Sequence, residues 1–331
     1  MTGMGAPSYN RAPSRALLRL LAANAPLARL LRPRTASGIE IEIQFRGGSE
    51  IHLCCGLTCI LKCRRKGGNS IRVETGRKHA CRPGANGLFR PGSRCVSNGG
   101  AYVGDVWSVG DPAFARAVET FLDEVTVGER QAKEGLIQAR WSRVTAPWTV
   151  FDKEAQLAYP SKPARERRLS EAFRPSVEAA RSQVHALGLR RNWARLSAAK
   201  TRLKVDALAV DPEGNLVLLE VKDASGSASE VYYAPFQLLQ NVWEWQRALP
   251  AVRRSLQELL DARMELVLTP SGVAQVTGGI RAAVGFGADH RSEEVKFRHS
   301  EVLNAANAHL PPGVPPIETW ALANGQPTRL E

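Results

Sequence analysis

Two short apolar segments, separated by a run of turn-forming residues, constrain the fold of this chain more than any other feature. Residues 201–210 (TRLKVDALAV) and 216–222 (LVLLEVK) are rich in aliphatic and β-branched residues, and the residues between them are DPEGN. This pattern is typical of two antiparallel strands joined by a tight loop. Apolar residues lie on both faces of the predicted hairpin, which indicates strands that are covered on both sides within a sheet.

The five-residue loop gives a register that can be counted from the sequence. If Val210 lies opposite Leu216, then Asp206 lies opposite Glu220 and the two carboxylates share one face. Side chains directly opposite each other have Cβ atoms about 5 Å apart, so like charges there destabilise a hairpin. A divalent cation removes this repulsion, and Mg²⁺ prefers carboxylate oxygens as ligands. We therefore predict a metal site on this face.

Lys222 lies on the same face as Glu220, because side chains alternate along a strand. An ammonium group beside a metal site can orient or deprotonate an attacking water, or offset charge that develops on a phosphate. The alternative is a salt bridge from Lys222 to Asp206 or Glu220 on a solvated face. The apolar residues around these charges favour the metal site.

The sequence Asp206 followed by Glu220-Val221-Lys222 resembles the signature of the PD-(D/E)XK nuclease superfamily, with Val205 in place of the proline. The resemblance implies an α/β fold with a restriction-endonuclease-like mixed sheet flanked by helices. It also implies that Asp206, Glu220 and a main-chain carbonyl near Val221 bind catalytic Mg²⁺, which Mn²⁺ can replace. Lys222 would then assist the attacking water.

The resemblance covers roughly residues 160–250, with a predicted helix before the motif at Ala164–Leu187. Family members often supply a further metal-site glutamate from such a helix. The candidates are Glu166, Glu171 and Glu178. Pro175 indicates a helix break or a second helix start, so Glu171 is the residue expected in this role. The alternative for Glu171 is a solvated surface charge.

A second helix is predicted at Pro235–Leu249, with proline at its first position. Gln237 in this helix resembles the glutamine that family members carry after the E-x-K strand. Asn241 would share the same face one turn later. The alternative for Gln237 is an ordinary amide on the helix surface.

The charge distribution favours a nucleic acid as the partner. The chain carries a net charge of +13, of which residues 1–38 contribute +6 and residues 39–95 contribute +7. Residues 162–204 hold twelve Lys or Arg against three Glu. A positive surface beside the predicted site would bind a phosphate backbone in a salt-dependent way. We expect DNA rather than RNA, and the alternative is a solvated helix face.

Three regions are predicted along the chain. Residues 1–38 form a basic arm that is disordered or weakly helical, residues 39–150 form a β-rich region plus a helix, and residues 151–331 form the nuclease-like domain. We expect no membrane partner, since no apolar run approaches about 18 residues. The expected location is cytoplasmic, although the arginine-rich, acid-free start also fits an organellar transit peptide.

The β-rich region contains all six cysteines, at positions 54, 55, 59, 63, 81 and 95, with His52 and His79 nearby. The paired C-x-x-C spacing of most structural zinc sites is missing. Reduced thiols are therefore expected, and Zn²⁺ bound to these cysteines is the alternative.

Further elements follow from local patterns. Strands are predicted at residues 39–45, 50–54, 71–74, 264–268, 280–286 and 317–322, and helices at 111–140 and 293–310. Irregular structure is predicted at residues 77–104, 141–159, 225–229 and 271–279.

Together these features predict a Mg²⁺-dependent nuclease that hydrolyses phosphodiester bonds, with DNA as the favoured substrate. A homodimer would allow cleavage of both strands of a duplex. One alternative is a catalytically inactive nuclease-fold protein that binds nucleic acid. The other is a cysteine-rich, metal-binding interaction protein.

Overall fold

The computed structural model of the protein describes residues 6–22, 34–36, 39–55, 58–76, 85–89, 102–124, 136–172, 174–191, 193, 204–224, 231–289, 291–323 and 325–330. The chain divides into two units, and each contains one six-stranded sheet. The first unit comprises residues 1–9, 140–257 and 272–331, and the second comprises residues 10–139 and 258–271.

The second unit is β-rich. Its strands are β1 (Arg34–Ala36), β2 (Ile39–Phe45), β3 (Glu50–Cys55), β4 (Thr58–Gly67), β5 (Ser70–Gly76) and β6 (Tyr102–Ser108). Neighbours in sequence are neighbours in the sheet, and every pair is antiparallel. Alternate residues such as Ile41, Ile43 and Phe45 are buried, as in a sheet with one covered face.

The described helices of this unit include α1 (Arg15–Ala22), α2 (Ala85–Leu88) and α3 (Pro112–Glu124). The leucines of α1 are buried, although residues 1–38 were expected to form a disordered or weakly helical arm. Asp111 caps α3, since its Oδ1 accepts a hydrogen bond of 2.8 Å from the amide of Ala113.

Most of the predicted elements in this unit are present. The strands at residues 39–45, 50–54 and 71–74 are confirmed, and the helix at 111–140 is confirmed over Pro112–Glu124 and 136–140. The irregular structure expected at 77–104 is wrong at α2 and at the start of β6, and residues 77–84 and 90–101 lie outside the described residues. Strand β4 was not predicted because its second half is a run of basic residues without apolar alternation.

The first unit contains a mixed sheet. Its strands are β7 (Thr149–Ala155), β8 (Val205–Val210), β9 (Leu216–Lys222), β10 (Ile280–Phe286), β11 (Glu318–Ala323) and β12 (Gln326–Arg329). The spatial order is β12-β11-β10-β9-β8-β7. Strands β9, β10 and β11 are parallel, and the other neighbouring pairs are antiparallel. The α/β class and the β-rich region before this sheet are therefore confirmed.

The predicted hairpin register is confirmed. Val210 pairs with Leu216, and Ala207 pairs with Leu219, so Asp206 and Glu220 occupy the next pair of positions. Strands β8 and β9 each have a neighbouring strand on both sides, and their apolar residues are buried on both faces, as in the centre of a sheet that is covered on both faces.

The longer helices that follow are α4 (Lys162–Ala172), α5 (Arg174–Arg191), α6 (Ala234–Glu265) and α7 (Glu293–Asn307), of which α6 contributes residues 234–257 to this unit. Helix α6 follows β9 and precedes β10 in the sequence. Two parallel neighbouring strands need a crossover connection of this kind. The second helix start predicted from Pro175 is confirmed, because α5 begins at Arg174. Within the described part of the chain, no helix is long and apolar enough to cross a membrane.

Two further predictions are wrong, one at residues 264–268 of the second unit and one at residues 141–159 of the first. The strand expected at residues 264–268 is instead the end of α6 followed by a turn, because a short apolar run does not distinguish a strand from a helix end. The irregular structure expected at 141–159 contains β7, whose alternation is broken by Asp152, Lys153 and Glu154. The loop expected at 225–229 lies outside the described residues. The later elements are confirmed as β10, α7 and β11.

Candidate functional site

The loop between β8 and β9 fixes the hairpin from its closed end. Asp211 accepts hydrogen bonds from the Asn215 amide nitrogen at 2.7 Å and from Asn215 Nδ2 at 2.9 Å. Gly214 has a φ of 83°, and a Cβ there would lie 2.3 Å from the carbonyl oxygen of Gln275. Glycine is therefore required at this turn. Arg281 Nη1 also donates to Asp211 Oδ2, at 3.1 Å.

The site lies at the opposite end of the hairpin. Glu220 pairs with Val284 and Lys222 pairs with Phe286, so the carboxyl ends of β9 and β10 meet at one edge of the sheet. Asp206 is at the start of the antiparallel strand β8 and lies at the same edge. In open α/β sheets, this edge is the common position of ligand sites.

The structure brings together the three residues of the sequence motif. The amide of Val221 donates a hydrogen bond of 2.8 Å to Asp206 Oδ2. Glu220 is buried, and its Oε1 accepts a hydrogen bond of 2.6 Å from Lys222 Nζ. One ammonium group therefore lies beside two carboxylates that neighbour each other across the strand pair.

The electrostatics of this arrangement favour a cation. Burial raises the pKa of Asp206 well above its ordinary value, and the charge of Glu220 raises this pKa further. Lys222 and the Val221 amide act in the opposite direction but do not offset the increase. The donor set consists of hard carboxylate oxygens, which Mg²⁺ and Mn²⁺ prefer. The residues present therefore fit a divalent metal ion.

Sequence reasoning missed a third carboxylate, Glu154 on β7. Lys153 pairs with Ala207 and Ala155 pairs with Val205, so the position opposite Asp206 is that of Glu154. The charge of Glu154 also raises the pKa of Asp206. Three acidic residues thus occupy one row across β7, β8 and β9. Three consecutive charged residues interrupt the apolar alternation of β7, so neither the strand nor Glu154 was predicted from the sequence.

Glu154 has an unusual backbone conformation. Its φ of 51° is in the left-handed region, which costs a non-glycine residue on the order of 1–3 kcal/mol and is concentrated at functional sites. Lys204 Nζ donates a hydrogen bond of 2.8 Å to Glu154 Oε2. This contact holds the Glu154 carboxylate beside the first residues of β8.

Helix α6 supplies two amide side chains. Asn241 is buried and its Nδ2 donates to the main-chain oxygen of Lys204 at 3.3 Å, immediately before β8. Gln237 is half-buried one turn earlier. Within the described residues, the side-chain oxygens of Gln237 and Asn241 have no hydrogen-bond partner. Buried acceptors without a partner are uncommon in folded proteins, so both oxygens can accept from a water or a ligand.

The glutamates of the preceding helices are placed differently. Glu171 is exposed on α4, Glu166 lies 3.6 Å from Lys162, and Glu178 lies 3.0 Å from Arg181. The carboxylates whose charges raise the pKa of Asp206 include Glu220 and Glu154. Glu171 as a metal-site residue stays a prediction.

A buried polar cluster joins α4 to α6. Tyr159 donates a hydrogen bond of 2.9 Å to Glu244 Oε1, and Arg165 Nη2 lies 3.6 Å from the same oxygen. Burial raises the pKa of Glu244 even though Arg165 and Tyr159 oppose the shift. Arg165 belongs to the basic stretch 162–204 but is buried, so this stretch is not a uniformly solvated face.

The β-rich unit contains a separate cluster of metal-ligating side chains: His52, Cys54 and Cys59. A hydrogen bond with Cys54 lowers the pKa of Cys59 to about 5; burial opposes this shift, and His52 contributes to it. Burial raises the pKa of Cys63 to about 12. Cys54, Cys59 and Cys63 are not in disulfide bonds. The Cys55 side chain, His79, Cys81 and Cys95 lie outside the described residues.

Comparison of the chain with protein-family models, with curated proteins and with solved structures gives no match. The geometry of the two clusters is therefore the basis for the functions proposed below.

Proposed function

We propose that the protein is a Mg²⁺-dependent nuclease that hydrolyses phosphodiester bonds in DNA. The observation that carries this proposal is the row of Glu154, Asp206 and Glu220 across three adjacent strands, with Lys222 Nζ 2.6 Å from Glu220 Oε1. Lys204 and Lys222 offset part of the repulsion among these three carboxylates, and a bound cation would offset the rest.

The topology supports a restriction-endonuclease-like fold. Strands β7, β8 and β9 form an antiparallel meander, and α6 then leads to the parallel strand β10. Asp206 lies on the second strand of the meander and Glu220-Val221-Lys222 on the third, as the resemblance to the PD-(D/E)XK superfamily implies. A local motif and a strand order that agree are stronger support than either alone.

Asp206 and Glu220 would hold the metal ion, and Glu154, which lies opposite Asp206 in the register of β7 and β8, would be the candidate for a third carboxylate. A bound Mg²⁺ would lower the pKa of a ligating water and offset charge on the phosphate. The carboxylates fix the position of the ion. The hydrogen bond from the Val221 amide to Asp206 Oδ2 limits the freedom of that carboxylate before any metal binds.

Lys222 would act next to the metal ligands. Its ammonium group contacts Glu220 at one end of β9, so it would lie beside a water or phosphate oxygen bound at this edge. There it could position the attacking water or stabilise negative charge as the phosphodiester bond is cleaved. The side-chain oxygens of Gln237 and Asn241 would accept hydrogen bonds from that water or from the substrate.

The charge of the protein supports a nucleic-acid partner. The chain has a net charge of +13, and the exposed residues of α4 and α5 include Lys162, Arg167 and Arg174. Contacts between these basic residues and phosphates give an affinity that falls as the salt concentration rises.

A homodimer would place two metal sites on one duplex. Size-exclusion chromatography with DNA present tests that arrangement.

Cleavage assays test the proposal. Circular and linear duplex DNA, single-stranded DNA and RNA would be incubated with the protein in Mg²⁺, Mn²⁺ or EDTA. We expect metal-dependent cleavage of DNA that Lys222→Met abolishes and that Lys296→Met, a change on α7, leaves intact. If the intact chain binds DNA in a salt-sensitive way but does not cleave it, the proposed nuclease activity is contradicted. That result would favour an inactive nuclease-fold protein that binds nucleic acid. If the chain neither binds nor cleaves nucleic acid, the nuclease and the inactive binding protein are both contradicted.

A further inference from the structure

The β-rich unit carries two thiols and an imidazole on one hairpin, outside the carboxylate site. Cys54 and Cys59 are paired directly across β3 and β4, and His52 is two residues before Cys54 on the same face of β3. The ligand atoms of the three residues all lie within 4.8 Å of one another. We propose that His52, Cys54 and Cys59 form a zinc site.

The spacing of the donor atoms suits zinc. Two Zn–S bonds of about 2.3 Å at a tetrahedral angle separate the sulfur atoms by about 3.8 Å, and the cluster is close to that size. Thiolate and imidazole donors select zinc over Mg²⁺ or Ca²⁺, which prefer oxygen. Two thiolates also neutralise the charge of the ion. Three protein ligands leave the fourth tetrahedral position for water, substrate or another side chain.

Glu50 supplies the support that a histidine ligand needs. His52 Nε2 is hydrogen-bonded to Glu50 Oε1, which leaves Nδ1 as the nitrogen available to the metal. Arg64 Nε donates a hydrogen bond of 2.8 Å to Glu50 Oε2 and so fixes the carboxylate. Such carboxylate–histidine pairs orient metal-ligating imidazoles and increase their basicity. Arg64, Glu50 and His52 therefore form a chain of polar contacts that ends at the thiols.

The local strand geometry explains why sequence spacing did not reveal the site. The register shifts at Leu53/Cys54, so Leu53 pairs with Leu61 whereas Cys54 pairs with Cys59. This irregularity pairs Cys54 with Cys59 across the hairpin, and their C-x₄-C spacing is longer than the C-x-x-C knuckle but within the range of zinc ligands. Cys63, which pairs with Ile51, is buried and is not one of the three clustered ligands.

Metal content and cobalt titration of the full chain test the proposal. The protein would be purified without added metal or affinity tag, and zinc would be measured per chain by mass spectrometry. Co²⁺ would then be added to the metal-free protein as a spectroscopic probe. We expect one zinc per chain and a thiolate-to-cobalt charge-transfer band. Cys59→Ser should abolish this band, and Cys63→Ala, a change at a buried thiol on the same strand, should retain it.

Glu50→Gln provides a variant that leaves all three ligands in place. Loss of its carboxylate should weaken cobalt affinity by about 10- to 100-fold, the usual effect of removing a carboxylate partner of a histidine ligand. Circular dichroism of each metal-free variant would establish that it is folded before its affinity is compared with that of the wild type. His52→Ala, at a half-buried position, is the second ligand variant if Cys59→Ser fails to fold.

Three results would overturn the proposal. The first is a folded wild-type protein that binds neither zinc nor cobalt. The second is a charge-transfer band that survives Cys59→Ser and His52→Ala but is lost in the double variant Cys81→Ser/Cys95→Ser. The third is a Cys54–Cys59 disulfide in freshly purified protein, detected by mass spectrometry of unreduced peptides. None of these measurements depends on nuclease activity.

Discussion

The amide of Val221 donates a hydrogen bond of 2.8 Å to Asp206 Oδ2, so the first acidic residue of the motif is held by the main chain of the strand that carries the second. Asp206 therefore remains beside Glu220 even though their charges repel, and burial together with that repulsion raises the pKa of Asp206. The site stores unfavourable electrostatic free energy that a bound cation would release.

Asp206→Asn should separate stability from activity. The asparagine oxygen can still accept the Val221 hydrogen bond, but the repulsion with Glu220 is removed. We expect the metal-free protein to gain up to roughly 1 kcal/mol in its free energy of unfolding, measured by urea denaturation in EDTA. Cleavage in Mg²⁺ should fall by about 100-fold or more, because a metal ligand contributes several kcal/mol to catalysis. A variant that is less stable and fully active would contradict this account.

Arg165→Met should destabilise the first unit strongly. The substitution removes the cation beside buried Glu244, whose side chain is only 1% exposed. Breaking one partner of a buried ion pair costs about 3–5 kcal/mol, because the other charge is left without compensation. Chemical denaturation measures the loss. The double variant Arg165→Met/Glu244→Gln should recover most of it, and equal losses in the single and double variants would show that the charges are not coupled.

Gly285→Ala should disturb the sheet next to the site. A Cβ at this position would lie 2.8 Å from Trp141 Cε2, and the indole is held by a hydrogen bond of 3.1 Å to the Phe286 oxygen. Overpacking of this kind costs about 1–3 kcal/mol. The matched control is Gly278→Ala, where a Cβ meets nothing within 4 Å. Thermal unfolding compares the two variants, and equal melting temperatures would contradict the prediction.

His299 should make stability depend on pH. Burial lowers the pKa of His299 to about 4 from an ordinary value of 6.5. The unfolded chain therefore binds a proton first, and stability is lost as pH falls from about 6.5 to about 4. The loss approaches about 3 kcal/mol, at about 1.4 kcal/mol per pKa unit.

Urea denaturation between pH 4 and pH 7 measures this dependence. His299→Gln should remove the part of the slope that is due to His299, although it also alters the contacts with Val231 and Thr319. If the free energy of unfolding depends on pH equally in the variant and the wild type, His299 does not contribute to that dependence.

The sequence predicted the centre of the mixed sheet well because several local signals agreed there. The DPEGN loop, the apolar strands and the opposed carboxylates all indicated one register, and the structure has that register. Helix starts marked by proline were also predicted correctly at Pro175 and Pro235.

Features that depend on tertiary contacts were missed. Glu154 lies in a strand whose three consecutive charged residues break the β alternation, and only the pairing of β7 with β8 places it beside Asp206. The cluster of His52, Cys54 and Cys59 depends on a register shift that no spacing rule predicts. The burial of the leucines in the helix Arg15–Ala22 likewise depends on packing that the local sequence does not specify.

The rate of duplex DNA cleavage in Mg²⁺, compared between Glu220→Gln and Glu213→Gln, tests the central claim most directly. Glu220 is buried at the proposed metal site, and Glu213 is exposed in the loop at the other end of the same hairpin. Both substitutions remove one carboxylate charge, so they differ mainly in position. We predict that Glu220→Gln lowers the single-turnover rate by about 100-fold or more and that Glu213→Gln cleaves at the wild-type rate. Equal rates in the two variants would contradict a catalytic metal site at Glu220.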